Sequence, residues 1–211
     1  VKQLLDSWPY AEALLDPRRI VIRGAPNVGK STLLNKILGY DRAITSPEPG
    51  TTVDRIGDFI EIDGYPVAVT DSAGVTSENP HNSDDTILPH LIIFVLDGSR
   101  DVTEDEAALV EKCRNEAPAR IVVVNKSDLP AVCKAGPVLE KGEDALGVSA
   151  ITGDGLDDLL AAVGAKLAPR VEPAPGSPVI FRKGWQDGLL SAAGDTAELR
   201  NVIQGILEGS V

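Results

Sequence analysis

A chain of 211 residues, 43% of them apolar, is long enough for one domain with appended elements or for two small domains around a normal core. A net charge of −12 repels phosphate backbones and excludes strong direct nucleic-acid binding by this chain, unless a local basic patch or another domain supplies the missing charge. No uncharged run approaches the length of a membrane span, no secretory h-region is visible, and Cys113 and Cys133 lack metal-ligand spacing, so reduced thiols and a cytoplasmic location are expected. The sequence opens at Val1 and holds no methionine, which points to a fragment or to omitted residues.

The elements follow in chain order. Leu4, Leu5, Trp8, Ala11, Leu14 and Leu15 recur at helical spacing, interrupted at Pro9 and closed by Pro17. This segment, 1–17, reads either as a docking helix or as an amphipathic helix packed on its own domain. A strand over Arg19–Arg23 leads through glycine into a helix over Lys30–Leu38, with Leu33, Leu34, Ile37 and Leu38 on one side and Gly39 as its stop. Phe59–Ile62 and Tyr65–Thr70 flank Asp63-Gly64, a hairpin signal. Leu91–Leu96 and Ile121–Val124 are continuous apolar runs, as parallel strands covered on both faces require. Glu104–Glu116 reads as a helix capped by Thr103, Leu146–Ser149 as a last short strand, and Leu156–Leu167 as an amphipathic helix. The alternation predicts an α/β fold over 18–168, a P-loop NTPase with a doubly wound, mainly parallel six-stranded sheet and flanking helices. A stiff linker over 169–180, proline-rich from Pro169 to Pro178, separates it from a helical segment over 181–211, where Trp185, Leu189, Leu190, Leu199, Val202, Ile203, Ile206 and Leu207 recur.

The chemistry is carried by short motifs at the carboxyl ends of these strands. Gly24-Ala25-Pro26-Asn27-Val28-Gly29-Lys30-Ser31 fits the phosphate-loop pattern throughout. Its glycines let backbone N–H groups turn toward phosphate oxygens. Lys30 can reach the β- and γ-phosphates, Ser31 can offer its hydroxyl to Mg²⁺, and the helix that continues through Thr32 presents its positive end. Asp71-Ser72-Ala73-Gly74 follows the strand ending at Thr70, so the Asp71 carboxylate can hold a magnesium-bound water and the Gly74 N–H can meet the γ-phosphate. Alone this second motif is weak, because Asp and Gly after a strand also make ordinary turns. Asn125-Lys126-Ser127-Asp128 supplies base selection: a carboxylate at Asp128 can accept from guanine N1–H and the exocyclic amine, donors that adenine lacks on that edge. Ser149-Ala150 follows the last strand, where a backbone N–H can meet guanine O6. GTP and GDP are the expected ligands.

Together these segments resemble the tRNA-modification GTPases of the MnmE (TrmE) type, within the Era, Der and MnmE group. The likeness covers about Arg18 to Leu167 and rests on GAPNVGKSTLLNKILG, AITSPEPGTTVD, DSAG, NKSD and VSAITGDGLDDLL. The resemblance implies that Thr52 joins the Mg²⁺ shell, and that Asn27 helps to ligate K⁺ with backbone carbonyls around Ser46–Thr51. It also implies that G domains dimerise across the site in the GTP state. Asn27 is equally compatible with a plain turn. Val75 stands where Ras-type enzymes carry a water-orienting glutamine, and an apolar side chain cannot position that water. The segment Val75–His90 departs from the family, and Ser83 falls where ungapped alignment places its catalytic glutamate. Glu78, Asp84 and Asp85 are the substitutes within reach, each of which also reads as a solvated loop carboxylate. These 211 residues, which end Gly209-Ser210-Val211, hold neither the cysteine-bearing C-terminal motif nor the folate-binding N-terminal domain of the family, and Val53 replaces the usual arginine. The expectation is either a G-domain fragment or a diverged relative that kept the switch and lost the modification chemistry.

The expected function is GTP hydrolysis with Mg²⁺ and K⁺, linked through the resemblance to tRNA modification. The rival is a guanine-nucleotide switch with negligible turnover that acts on a ribosomal or RNA-modifying partner. An ATPase is disfavoured by Asn125 and Asp128.

Overall fold

The computed structural model describes residues 5–39, 58–71 (residue 71 by its backbone), 88–114 and 116–167, together with 174, 177, 179 and 202. The chain divides into two units, 18–168 and a second formed by 1–17 with 169–211.

In the larger unit six strands form one sheet in the order β2-β3-β1-β4-β5-β6. They are β1 (Arg18–Arg23), β2 (Asp58–Ile62), β3 (Tyr65–Asp71), β4 (Leu91–Asp97), β5 (Ala119–Asn125) and β6 (Ala145–Val148). All neighbours are parallel except β2 and β3, which pair antiparallel across the Asp63-Gly64 turn. That turn has φ of 51° and 82° at its two central residues, the left-handed pair that matches the twist of a two-residue hairpin.

Every residue of β4 is buried, because its two faces feed two different cores. Leu91, Ile93 and Val95 point to the side covered by two helices, α2 (Lys30–Leu38) and α4 (Leu156–Leu167), and meet Leu33, Ile37, Leu156, Leu159 and Val163. Ile92, Phe94 and Leu96 point the other way, toward α3 (Glu104–Cys113) and a 3₁₀ turn at Gly136–Val138, and meet Val110, Cys113, Val122 and Val138. A strand that serves two cores needs no polar alternation, which is why its sequence is an unbroken apolar run. Burying each such side chain contributes about 1.5–3 kcal/mol. The apolar stripes at 33/34/37/38 and 156/159/160/163 place α2 and α4 over one core, with the carboxyl ends of β1, β4, β5 and β6 left for the loops that follow them.

Two sequence expectations are refined. The expected interruption at Pro9 falls at Ser7: residues 5 and 6 are helical, Ser7 turns, and α1 then spans Trp8–Leu15 with Pro9 in its first turn, where a missing N–H costs nothing. Its residues Trp8, Ala11 and Ala13 are buried. Helix α3 ends at Cys113 rather than Glu116, because its last turn tightens: the Arg114 N–H reaches Glu111 O, three residues back, at 3.2 Å. Its start is as the sequence implies. The Thr103 hydroxyl accepts from Glu106 N at 3.2 Å and the Glu106 carboxylate accepts from Thr103 N at 3.0 Å, a complete capping box. The 169–180 linker and the 181–211 helical segment lie, but for the few positions named above, outside the described residues. Among the described residues no helix is long and apolar enough to cross a membrane. Cys113 and Cys133 are free thiols, each pushed up from its ordinary pKa by burial, so neither is primed as a nucleophile.

Candidate active site

The phosphate loop leaves β1 beside β4, between strands whose connections run in opposite directions across the sheet. Val28 at the loop's tip is fully buried in the α2/α4 core and pins the turn from beneath. Asn27 and Gly29 on either side of it both have left-handed φ, 64° and 97°. Gly29 forms the N-cap of α2. A Cβ at Gly29 would lie 2.3 Å from Asn125 Nδ2, so glycine is required there by both its backbone angle and the approach of another loop. Lys30, Ser31 and Thr32 are the first three residues of α2, where backbone N–H groups have no helical partner and attract anions. Lys30 Nζ donates to Ala25 O at 2.9 Å. An ammonium carries three donors, so this bond orients the lysine along the loop without exhausting it.

The second half of the site is built at the ends of β5 and β6, and one buried side chain joins it to the first. Asn125 Nδ2 donates to Val28 O at 2.8 Å, and Asn125 Oδ1 accepts from Ala150 N at 2.9 Å. The amide thus bridges the phosphate loop and the loop after β6. The sequence reading places Asn125 against the nucleotide and offers the Ala150 N–H to guanine O6; here the two groups bond to each other. Asp128 is exposed, and its Oδ1 accepts from Ser149 Oγ at 2.6 Å. Ser149 is fully buried, accepts a second bond from Thr152 N at 3.1 Å, and so ties Asp128 to the β6 loop. Lys36 of α2 reaches the same loop at Ile151 O, 3.3 Å away. Asn27, Ser31 and Thr32 are exposed along the phosphate-loop rim.

Asp97, at the end of β4, escaped the sequence reading. It is only 9% exposed, and its carboxylate accepts from Ser99 N (2.9 Å), Ser99 Oγ (2.6 Å) and Lys126 Nζ (2.6 Å). Burial alone would raise its pKa, but the bonds from Lys126 and Ser99 outweigh that and hold it down to about 2. The available signal was a lone carboxylate ending an apolar run at the ligand edge of the sheet.

For Mg²⁺ the residue types available at this end of the sheet fit. The backbone of Asp71 ends β3 in register with Ile22, beside the start of the phosphate loop, and Ser31 is the second residue of α2 at the other end of that loop. Hydroxyl and carboxylate oxygens are the hard donors Mg²⁺ takes, and it relies on a few of them together with substrate phosphates. Among the described residues no cluster of three or more His, Cys, Asp or Glu side chains occurs. Thr52, Gly74, Glu78, Asp84 and Asp85, and the Ser46–Thr51 loop, lie outside the described residues.

Residues 19–126 match the 50S ribosome-binding GTPase family. The tRNA modification GTPase MnmE of Geobacter metallireducens is 38% identical over 175 residues, 77% of this chain and 37% of that protein. MnmE of Lactobacillus delbrueckii subsp. bulgaricus is 29% identical over 223 residues, 99% of this chain and 46% of that protein. The chain therefore spans less than half the length of these relatives. Among solved structures, the G domain of the T. maritima FeoB iron transporter aligns with a TM-score of 0.46 and 20% identity, covering 71% of this chain and 98% of that one. A GTPase domain binds GTP and GDP, and its family generally implies Mg²⁺. By the match over residues 19–126, and by its likeness to MnmE, the chain belongs to this GTPase family.

Proposed function

We propose that 18–168 is the G domain of an MnmE-like protein that hydrolyses GTP to GDP and phosphate with Mg²⁺ and K⁺. On this reading 1–17 and 181–211 are helical segments belonging to a larger arrangement linked to tRNA modification. The observation that carries the reading is the Asn125 bridge from Val28 to Ala150. It fixes the distance between a phosphate cradle and a base pocket, so the site measures a nucleotide as a whole.

In this site Gly29, Lys30, Ser31 and Thr32 hold the phosphates through N–H groups and the lysine ammonium. Asp128 receives the two guanine donors while Ser149 Oγ steadies its other lone pairs, and a guanine O6 at the β6 loop shares the Ala150 N–H. Ser31 and Thr52 would hold Mg²⁺ and Asp71 a water bound to it, and the ion would neutralise charge on the phosphates. Asn27, exposed and held left-handed at the loop's shoulder, would offer its amide oxygen to K⁺. GTP-dependent pairing of two G domains would complete that cation site, and Gly74 with one of Glu78, Asp84 or Asp85 would arrange the attacking water.

Phosphate release measured in KCl and in NaCl, for the wild type and Asn27→Ala, tests the cation. Faster release in KCl that disappears in Asn27→Ala supports it. Equal rates in both salts, unaffected by the substitution, remove potassium from the mechanism. Single-turnover hydrolysis in KCl with protein in excess separates the enzyme from a non-hydrolysing switch: a burst of phosphate identifies the enzyme.

A further inference from the structure

A carboxylate as enclosed as Asp97 costs several kcal/mol to bury unless its partners compensate, so those partners indicate what it serves. One oxygen is taken up locally by Ser99. The other faces Lys126 Nζ at 2.6 Å, with Arg100 Nε farther away at 3.9 Å. The turn that carries Asp97 is pressed against the Asn125-Lys126 backbone. Asp97 is in register with Asn125, the Gly98 N–H donates to Asn125 O at 2.7 Å, and a Cβ at Gly98 would come within 2.6 Å of that oxygen.

Lys126 is itself in an unusual state. Its φ is 68°, a left-handed conformation that costs an L-residue about 1–2 kcal/mol. A lysine side chain left in solvent also keeps about 2 kcal/mol of rotamer entropy, which any ligand packing on it would have to remove. Here both ends of the side chain are fixed, the Cα by the strand end and the Nζ by Asp97. The methylene stem between them is held in one course, half-buried, in the loop between Asn125 and Asp128. Such a stem is an apolar surface of the kind on which a planar ring packs.

We propose that Asp97 is a positioning residue for nucleotide binding: by anchoring Lys126 Nζ it fixes the lysine stem as the floor on which the purine ring lies. The inference rests on the guanine-nucleotide reading of the site and adds to it a determinant of affinity that never touches the ligand. The pairing lowers the ordering cost of binding, so it acts chiefly on how fast nucleotide leaves.

The test uses the full chain, MgCl₂ and a fluorescent GDP analogue, with equilibrium Kd and stopped-flow dissociation measured for wild type, Asp97→Asn, Lys126→Met and the double variant. Lys126→Met keeps the apolar stem and removes only its anchor. Each single variant is expected to raise Kd about tenfold, mainly through faster dissociation, and the double variant is expected to lie within about twofold of Lys126→Met alone. An Asp97→Asn protein that binds like wild type overturns the inference, as do single effects that simply multiply in the double variant. If Asp97→Asn does not fold, Ser99→Ala loosens the same carboxylate, and its effect must likewise vanish in the Lys126→Met background or the inference falls. A folded wild type that binds no GDP removes the nucleotide reading as well, which distinguishes the two failures.

Discussion

Asn125→Ala should damage stability and binding together, because one side chain serves both halves of the site. The substitution removes two hydrogen bonds, at 2.8 and 2.9 Å, and leaves Val28 O and Ala150 N without that partner in a place closed to water. Each orphaned buried group costs about 1–3 kcal/mol, so the loss is about 2–6 kcal/mol in total. In a domain of this size each kcal/mol lowers Tm by about 2–4 °C, and a fall of about 5–20 °C follows. Urea unfolding read by far-UV circular dichroism gives the stability change, provided the slope m is unchanged. GDP titration on the same samples gives binding, expected to weaken at least about tenfold because phosphate loop and base loop lose their fixed separation. Asn125→Asp is the informative companion: it keeps the acceptor for Ala150 N but sets a carboxylate oxygen against Val28 O, and should be no more stable than the alanine variant. An alanine variant within about 0.5 kcal/mol of wild type that binds GDP normally would refute the bridge as a structural coupling.

Gly29→Ala should cost at least about 2 kcal/mol in urea unfolding, since the new Cβ meets Asn125 Nδ2 at 2.3 Å and the left-handed angle strains any L-residue. Thr103→Ala should cost about 1 kcal/mol by the same measurement without altering GDP affinity, because it removes only the α3 cap. The Asp97 carboxyl, lowered from 3.8 to about 2, contributes about 2 kcal/mol of stability that is complete above pH 4 and lost as the pH falls toward 2. Urea unfolding across that window should therefore show the advantage of wild type over Asp97→Asn shrinking as acid is added; a constant difference would contradict the pairing.

The sheet was legible wherever side-chain periodicity reports burial on one or both faces. The unbroken run Leu91–Leu96 and the stripes of α2 and α4 could be read directly, and so could the Asp63-Gly64 turn, whose chemistry is local. Helix ends were less legible, because Pro9 breaks a helix interior but suits a first turn, and sequence alone did not show which applied. In the site, the phosphate loop and NKSD were visible as motifs. The bonds between them were not, since Asn125 meets Val28 across 97 residues and Ala150 across 25, separations that leave no periodic trace. Asp97 was missed for the same reason: its meaning lies in Lys126, which only the β4–β5 register brings alongside.

The Asn125 bridge also has a consequence for how the chain comes into being. During synthesis the phosphate loop emerges long before the loop that follows β6, so a nascent chain stopped anywhere short of Ala150 has a cradle without its brace. Whatever nucleotide affinity depends on that brace is thereby withheld until the last strand has been added to the sheet. A nucleotide that binds tightly then marks a finished domain, and its free energy falls on the completed fold rather than on any truncated or half-assembled one.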